Sequence, residues 1–145
     1  MKNERIEEIE TIAWDLVLEI YTDEKVIPPI DVMKIAQNLG VTVKFGSFSD
    51  AGVDGAFLRK EQTIYVNSDS IYTRQAFTLS HELGHYLLHK DKEQEKFYRR
   101  DMFELDDDQI EKEANWFAAA LLMPRKLIGH YSNIFNTVVT FRRHG

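Results

Sequence analysis

The chain has 145 residues, with 18 Lys or Arg against 24 Asp or Glu, a net charge of -6, 43% hydrophobic residues and no cysteine. That length suits one domain with one core, residues 1–145, and that apolar fraction excludes global disorder. Without cysteine there is no disulfide and no thiolate ligand, so any metal has to be held by His, Asp or Glu.

The N-terminal "MKNERIEEIE" is acidic and lacks the apolar core of a signal peptide. Residues 4–21 read as a helix, because Ile6, Ile9, Ala13, Leu16, Val17 and Ile20 recur at three- and four-residue steps. "IPPID" breaks the chain; Asp31 then caps a helix carrying Val32, Ile35, Ala36 and Leu39, and Gly40 ends it. "VTVKF" alternates and is β-branched, which predicts a strand. "GSFSDAGVDG" reads as a loop, and "AFLRK" and "TIYVN" as two strands joined by a turn at Glu61 and Gln62. A helix is expected over roughly 70–89, a long polar loop over 90–107, and a further helix over about 108–122 that ends near Pro124. Helices, then strands, then helices predict an α+β fold with a small mixed sheet. No apolar run approaches the ~20 residues of a membrane helix, so a soluble, cytoplasmic protein is expected. The negative charge disfavours binding to a phosphate backbone, and the basic "FRRHG" at the end reads as a solvated tail.

The stretch "HELGHYLLH", residues 81–89, carries the chemistry. Residues four apart on a helix have Cβ atoms about 5–6 Å apart, so His81 and His85 can present two imidazoles to one Zn²⁺. Glu82 lies about 100° round the helix from His81 and about 60° from His85, where it can serve as a general base without binding the metal. A shuffled chain would show HExxH on the order of once in a hundred, so the pattern draws its weight from the amphipathic helix around it. Gly84 is a poor helix former, which points to a close approach by another backbone or a substrate. His89 continues the four-residue series one turn on; it reads as structural or partly exposed, with a role behind the ligands or toward substrate as the alternative. His130 and His144 read as surface residues.

A catalytic zinc takes a third protein ligand, and "DDDQIEKEANWFAAALLMP" is its source. Glu111 lies about 60° from the centre of the apolar stripe and Glu113 about 100° away on the other flank, so Glu111 is favoured and Glu113 is the fallback. Asn115, one turn after Glu111, can hydrogen-bond a ligand histidine. A capping box from Asp108 to Glu111 would divert Glu111 from the metal, whereas Asp106 or Asp107 as cap would leave it free.

In "PPIDVMKIAQNLGVTV", "DGAFLRKEQTIYVN", "RQAFTLSHELGHYLLH" and "EKEANWFAAALLMP", spread over about residues 26–124, the chain resembles the ImmA/IrrE family of zinc-dependent metallopeptidases, within the thermolysin-like gluzincins. The resemblance implies a zincin-like domain, His81, His85 and Glu111 as zinc ligands, Glu82 as base, and an ExxxN pattern ending at Asn115. It also implies a small sheet with an edge beside the active helix. Members of the family are often encoded by mobile elements, and several act on helix-turn-helix repressors. The segment after "LLMP" is shorter than in many relatives and matches poorly.

The expected activity is therefore a zinc endopeptidase that cleaves or controls a helix-turn-helix transcriptional repressor. Its substrate strand would add to the sheet edge in the "AFLRK"/"TIYVN" region. Tyr65, Tyr72, Arg74 and His89 are the candidate oxyanion or substrate contacts, with Arg74 equally readable as a structural ion-pair partner. The alternative is a non-cleaving, zinc-containing regulatory or antitoxin-like module that binds a DNA-binding partner. Direct DNA binding is disfavoured by the charge.

Overall fold

A computed structural model of the chain describes residues 1–21, 25–90, 97–99 and 109–127. Helix α1 spans Asn3–Ile20 and buries the stripe Ile9, Ala13, Leu16 and Val17. Asp31 caps α2, Val32–Asn38, by accepting a hydrogen bond from the Lys34 amide at 3.1 Å. Gly40, at φ 76°, takes the left-handed turn that ends this helix.

Strand β1 is Thr42–Gly46, β2 is Val53–Leu58 and β3 is Thr63–Asn67. The boundary of β2 differs from the sequence reading. Val53, Asp54 and Gly55 belong to the strand, although their turn-like composition reads as loop. Asp54 is buried and pairs with Arg74, and Gly55 lies under the next helix, where a Cβ would overlap Thr78 and come within 2.8 Å of the Tyr65 carbonyl. Arg59 and Lys60 leave the strand for one 3-10 turn, Arg59–Glu61, and Gln62 closes it in the left-handed region at φ 49°.

Helix α3 runs Tyr72–Leu88, strand β4 is Phe97–Arg99, and helix α4 runs Gln109–Leu122. The expected loop over 90–107 thus contains a strand. The possible caps Asp106, Asp107 and Asp108, and His130 and His144, lie outside the described residues. The fold is α+β, with a mixed sheet in the order β1-β3-β2-β4. β1 is parallel to β3, and β2 is antiparallel to both β3 and β4, with an irregularity between Val53 and Gly55 where it meets β4. Among the described residues the sheet edges are therefore β1 and β4. Of the "AFLRK"/"TIYVN" region, expected to offer a free edge, β3 is interior and β2 is covered by β4 from Val53 to Ala56, while Phe57 and Leu58 lie past the last β4 pair.

Gly55, Phe57, Ile64 and Val66 share the sheet face that meets α3, because side chains alternate along each strand. Leu79 and Leu83 of α3 close on that face, while Phe117 and Leu121 of α4 pack against the same core and against α1. Each fully buried side chain of this size contributes roughly 1.5–3 kcal/mol through removal from water. Helix α3 is held between the sheet and α4, and this sandwiching positions the functional residues.

Candidate metal centre

α3 presents His81 and His85 on one side, one turn apart, with their Nε2 atoms 3.2 Å from each other. α4 brings Glu111 to them: Oε2 lies 3.0 Å from His81 Nε2 and Oε1 lies 3.0 Å from His85 Nε2. One atom from each of the three residues can be chosen so that all lie within 4.8 Å of one another. Bonds of about 2.0–2.1 Å in a tetrahedral site put ligand atoms about 3.3–3.4 Å apart, close to the spacing found here.

Helix contact explains why Glu111 reaches that far. A Cβ on Gly84 would lie 3.2 Å from Ala114 Cα and 3.1 Å from Phe117 Cδ1, so the glycine admits α4 close to α3. Ala114 stands about one turn after Glu111, and its tight seat sets the height of the carboxylate over the histidines.

Proton placement tests the fit to a cation. Asn115 Oδ1 lies 2.8 Å from His81 Nδ1, and an amide oxygen only accepts, so His81 carries its ring proton on Nδ1. Its Nε2 then offers a lone pair toward Glu111, itself a pure acceptor when ionised. Electron pairs that converge on one point need a cation between them. Two imidazoles and a carboxylate suit a divalent metal ion, and His81, His85 and Glu111 could hold one.

Glu82 is buried at 3% exposure. Burial pushes its pKa up to about 8; the Glu111 charge adds to the rise and His85 opposes it. Arg59 donates to the carbonyls of His85 and His89 at 3.1 and 3.0 Å and so caps the last turn of α3. The sequence reading places Arg59 in a strand and gives it no such role.

Other candidates are placed differently. Tyr65 donates to Glu61 at 3.1 Å, which raises its pKa, and the strand alternation puts it on the sheet face away from α3. Tyr72 is 75% exposed and lies nine residues before His81, about 13 Å along the helix. Arg74 pairs with Asp54 at 3.5 Å, the structural role considered for it. None of these three is brought to the histidine–carboxylate cluster, because β3 faces the wrong way and the start of α3 is too far along its axis.

His89 is buried rather than partly exposed, with Nδ1 2.9 Å from His85 Nδ1 and Nε2 3.0 Å from Glu113 Oε1. Burial is the main cause of its lowered pKa. Glu113 turns away from the cluster: Arg5 of α1 donates to its Oε1 at 2.8 Å and is the main cause of a pKa brought down to about 2. Arg5 is invisible to sequence reasoning, being 108 residues from its partner.

No helix among the described residues is long and apolar enough to cross a membrane. The chain is 35% identical over 75 residues to "Uncharacterized immunity region protein 2" of Bacillus phage phi105, covering 52% of this chain and 46% of that protein. It is 36% identical over 105 residues to the radiation response metalloprotease IrrE of Deinococcus deserti, covering 70% of this chain and 36% of that one. The chain thus spans less than half the length of these curated relatives. A solved Mycobacterium tuberculosis transcriptional regulator shares the fold, with a TM-score of 0.55 at 12% identity over 86% of this chain and 37% of that one. The model of the IrrE N-terminal-like domain, a peptidase family, matches residues 36–137, and the chain belongs to that family.

Proposed function

We propose that the protein is a zinc-dependent endopeptidase whose substrate is a helix-turn-helix transcriptional repressor. The observation that carries the reading is the convergence of His81, His85 and Glu111 on one point, with a buried Glu82 beside them. A zinc ion held by those three residues would supply Lewis-acid chemistry at a scissile carbonyl. Glu82 takes the proton of the attacking water and delivers it to the leaving amine. Its burial raises its proton affinity toward the range in which one group can both accept and return a proton at neutral pH. Asn115 keeps the His81 ring turned so that Nε2 faces the centre.

The metalloprotease relative supports peptide-bond hydrolysis, and the immunity-region relative supports a repressor as the target. The net charge of -6 favours a protein substrate over nucleic acid. The test uses the zinc-loaded chain and a helix-turn-helix protein encoded beside it, with products sized by mass spectrometry. Cleavage by the native chain is expected, and none by Glu82→Gln, with zinc content unchanged. If Glu82→Gln still releases the repressor from its operator, the protein is a binding module and the peptidase reading fails.

A further inference from the structure

His85 is backed by three side chains that the proposed reaction does not use. His85 Nδ1 meets His89 Nδ1 at 2.9 Å, His89 Nε2 meets Glu113 Oε1 at 3.0 Å, and Arg5 Nη2 meets the same Oε1 at 2.8 Å. Glu113 is 12% exposed and His89 7% exposed at the side chain, so solvent screens these contacts little.

Donor and acceptor roles fix the direction of the chain. Arg5 only donates and an ionised Glu113 only accepts. The His89 nitrogen facing Glu113 therefore carries a proton. With both rings neutral, His89 Nδ1 is then a lone pair, and His85 has to donate to it from Nδ1. That leaves His85 Nε2 unprotonated and aimed at Glu111, 3.0 Å away. We propose that His89, Glu113 and Arg5 are positioning residues that lock His85 into the tautomer and ring orientation a metal ligand requires. The proposal rests on His85 being a ligand, as in the function proposed above.

His81 reaches the same end through its contact with Asn115. The His85 arm is longer and draws on α1, which lies before the 36–137 segment matched to the family. Its Arg5 also pairs with Glu8 at 2.9 Å, which steadies the guanidinium against α1 itself. A ligand histidine held through its other ring nitrogen loses roughly 10–100-fold in metal affinity when the partner is removed.

Two measurements test this. The first is ¹⁵N NMR of the histidine rings in the metal-free protein, where His85 is expected as the Nδ1–H form and His89 as the Nε2–H form. The reverse pattern overturns the proposal whatever zinc does. The second is zinc affinity by competition with a chromogenic chelator. Glu113→Met, similar in length but without a strong acceptor, is expected to weaken binding about 10-fold or more, and Arg5→Ala less, with Arg5→Lys recovering most of the Arg5→Ala loss. Melting of the metal-free variants identifies any that fail to fold, and Glu113→Met is the deciding one, with Glu113→Gln, which keeps an acceptor oxygen, expected to retain most of the affinity. Native-like affinity in a folded Glu113→Met overturns the proposal. If the native chain binds no zinc, the proposed function falls instead, and the ring tautomers alone then decide whether His89 and Glu113 orient His85.

Discussion

Gly84 and Ala114 touch across α3 and α4 so closely that a methyl group at position 84 would lie 3.2 Å from Ala114 Cα. This contact couples packing to ligand geometry, because His81 and His85 flank Gly84 in one helix and Glu111 precedes Ala114 in the other. Gly84→Ala gains roughly 1 kcal/mol of helix propensity, which offsets part of the crowding. Its fold stability is expected to stay within about 1 kcal/mol of native, while zinc affinity falls. Gly84→Val is expected to lose about 1–3 kcal/mol by overpacking. Denaturant melts and chelator competition, run in parallel on both variants, separate the two effects.

Zinc is expected to raise the melting temperature of the native chain reversibly. At a free concentration 100 times Kd the stabilisation is about 2.7 kcal/mol. Glu111→Gln, His81→Ala and His85→Ala should each lose most of that zinc-dependent rise. A rise in Glu111→Gln equal to the native one would place the metal elsewhere.

Glu82 sets a pH dependence in the metal-free protein. Its folded-state pKa is pushed up to about 8 by burial from an ordinary 4.5. Below the ordinary value both folded and unfolded chains hold the proton, and no penalty arises. Between the two values the folded chain keeps a proton that the unfolded chain releases, so stability falls as pH rises, and it levels off above about 8. Glu82→Gln removes this slope and should stabilise the metal-free protein at alkaline pH by up to about 5 kcal/mol, with little change in acid. Thermal melts across pH with a chelator present read the difference directly.

At Gly55 only a hydrogen fits, between Thr78 and the Tyr65 carbonyl. Gly55→Ala is expected to cost about 1–3 kcal/mol by forcing α3 off the sheet. Adding Thr78→Ala should recover part of the loss, since the methyl of Thr78 goes but the carbonyl stays. Full recovery, or no loss at all, would contradict the close approach.

Local patterns in the sequence carry much of the fold. α1, α2 and the run of α3 follow from three- and four-residue periodicity, and Asp31 and Gly40 mark the ends of α2 as caps should. His81, Glu82 and His85 can be grouped because one helix turn connects them. What cannot be read depends on tertiary placement. Val53 to Gly55 look like a loop until Thr78 and Arg74 supply a reason for the glycine and the buried aspartate. β4 is three residues long and leaves no periodic trace. Glu113 and His89 look like a spare ligand and a structural histidine, and their pairing appears only when Arg5 arrives from the other end of the chain. Tyr65 is misplaced by the sequence reading because the pleat, not proximity in sequence, decides which face it takes.

Strand β2 has partners on both sides, β3 along one and β4 along the other. A backbone amide has one hydrogen to give, so a polypeptide that would lie along Val53–Ala56 of β2 in register has to evict Phe97–Arg99 first. Because that occupant is tethered to the same molecule, it competes at an effective concentration no dilution can lower. Recognition by strand pairing at this position would therefore be an exchange of one guest for another, not the filling of an empty seat.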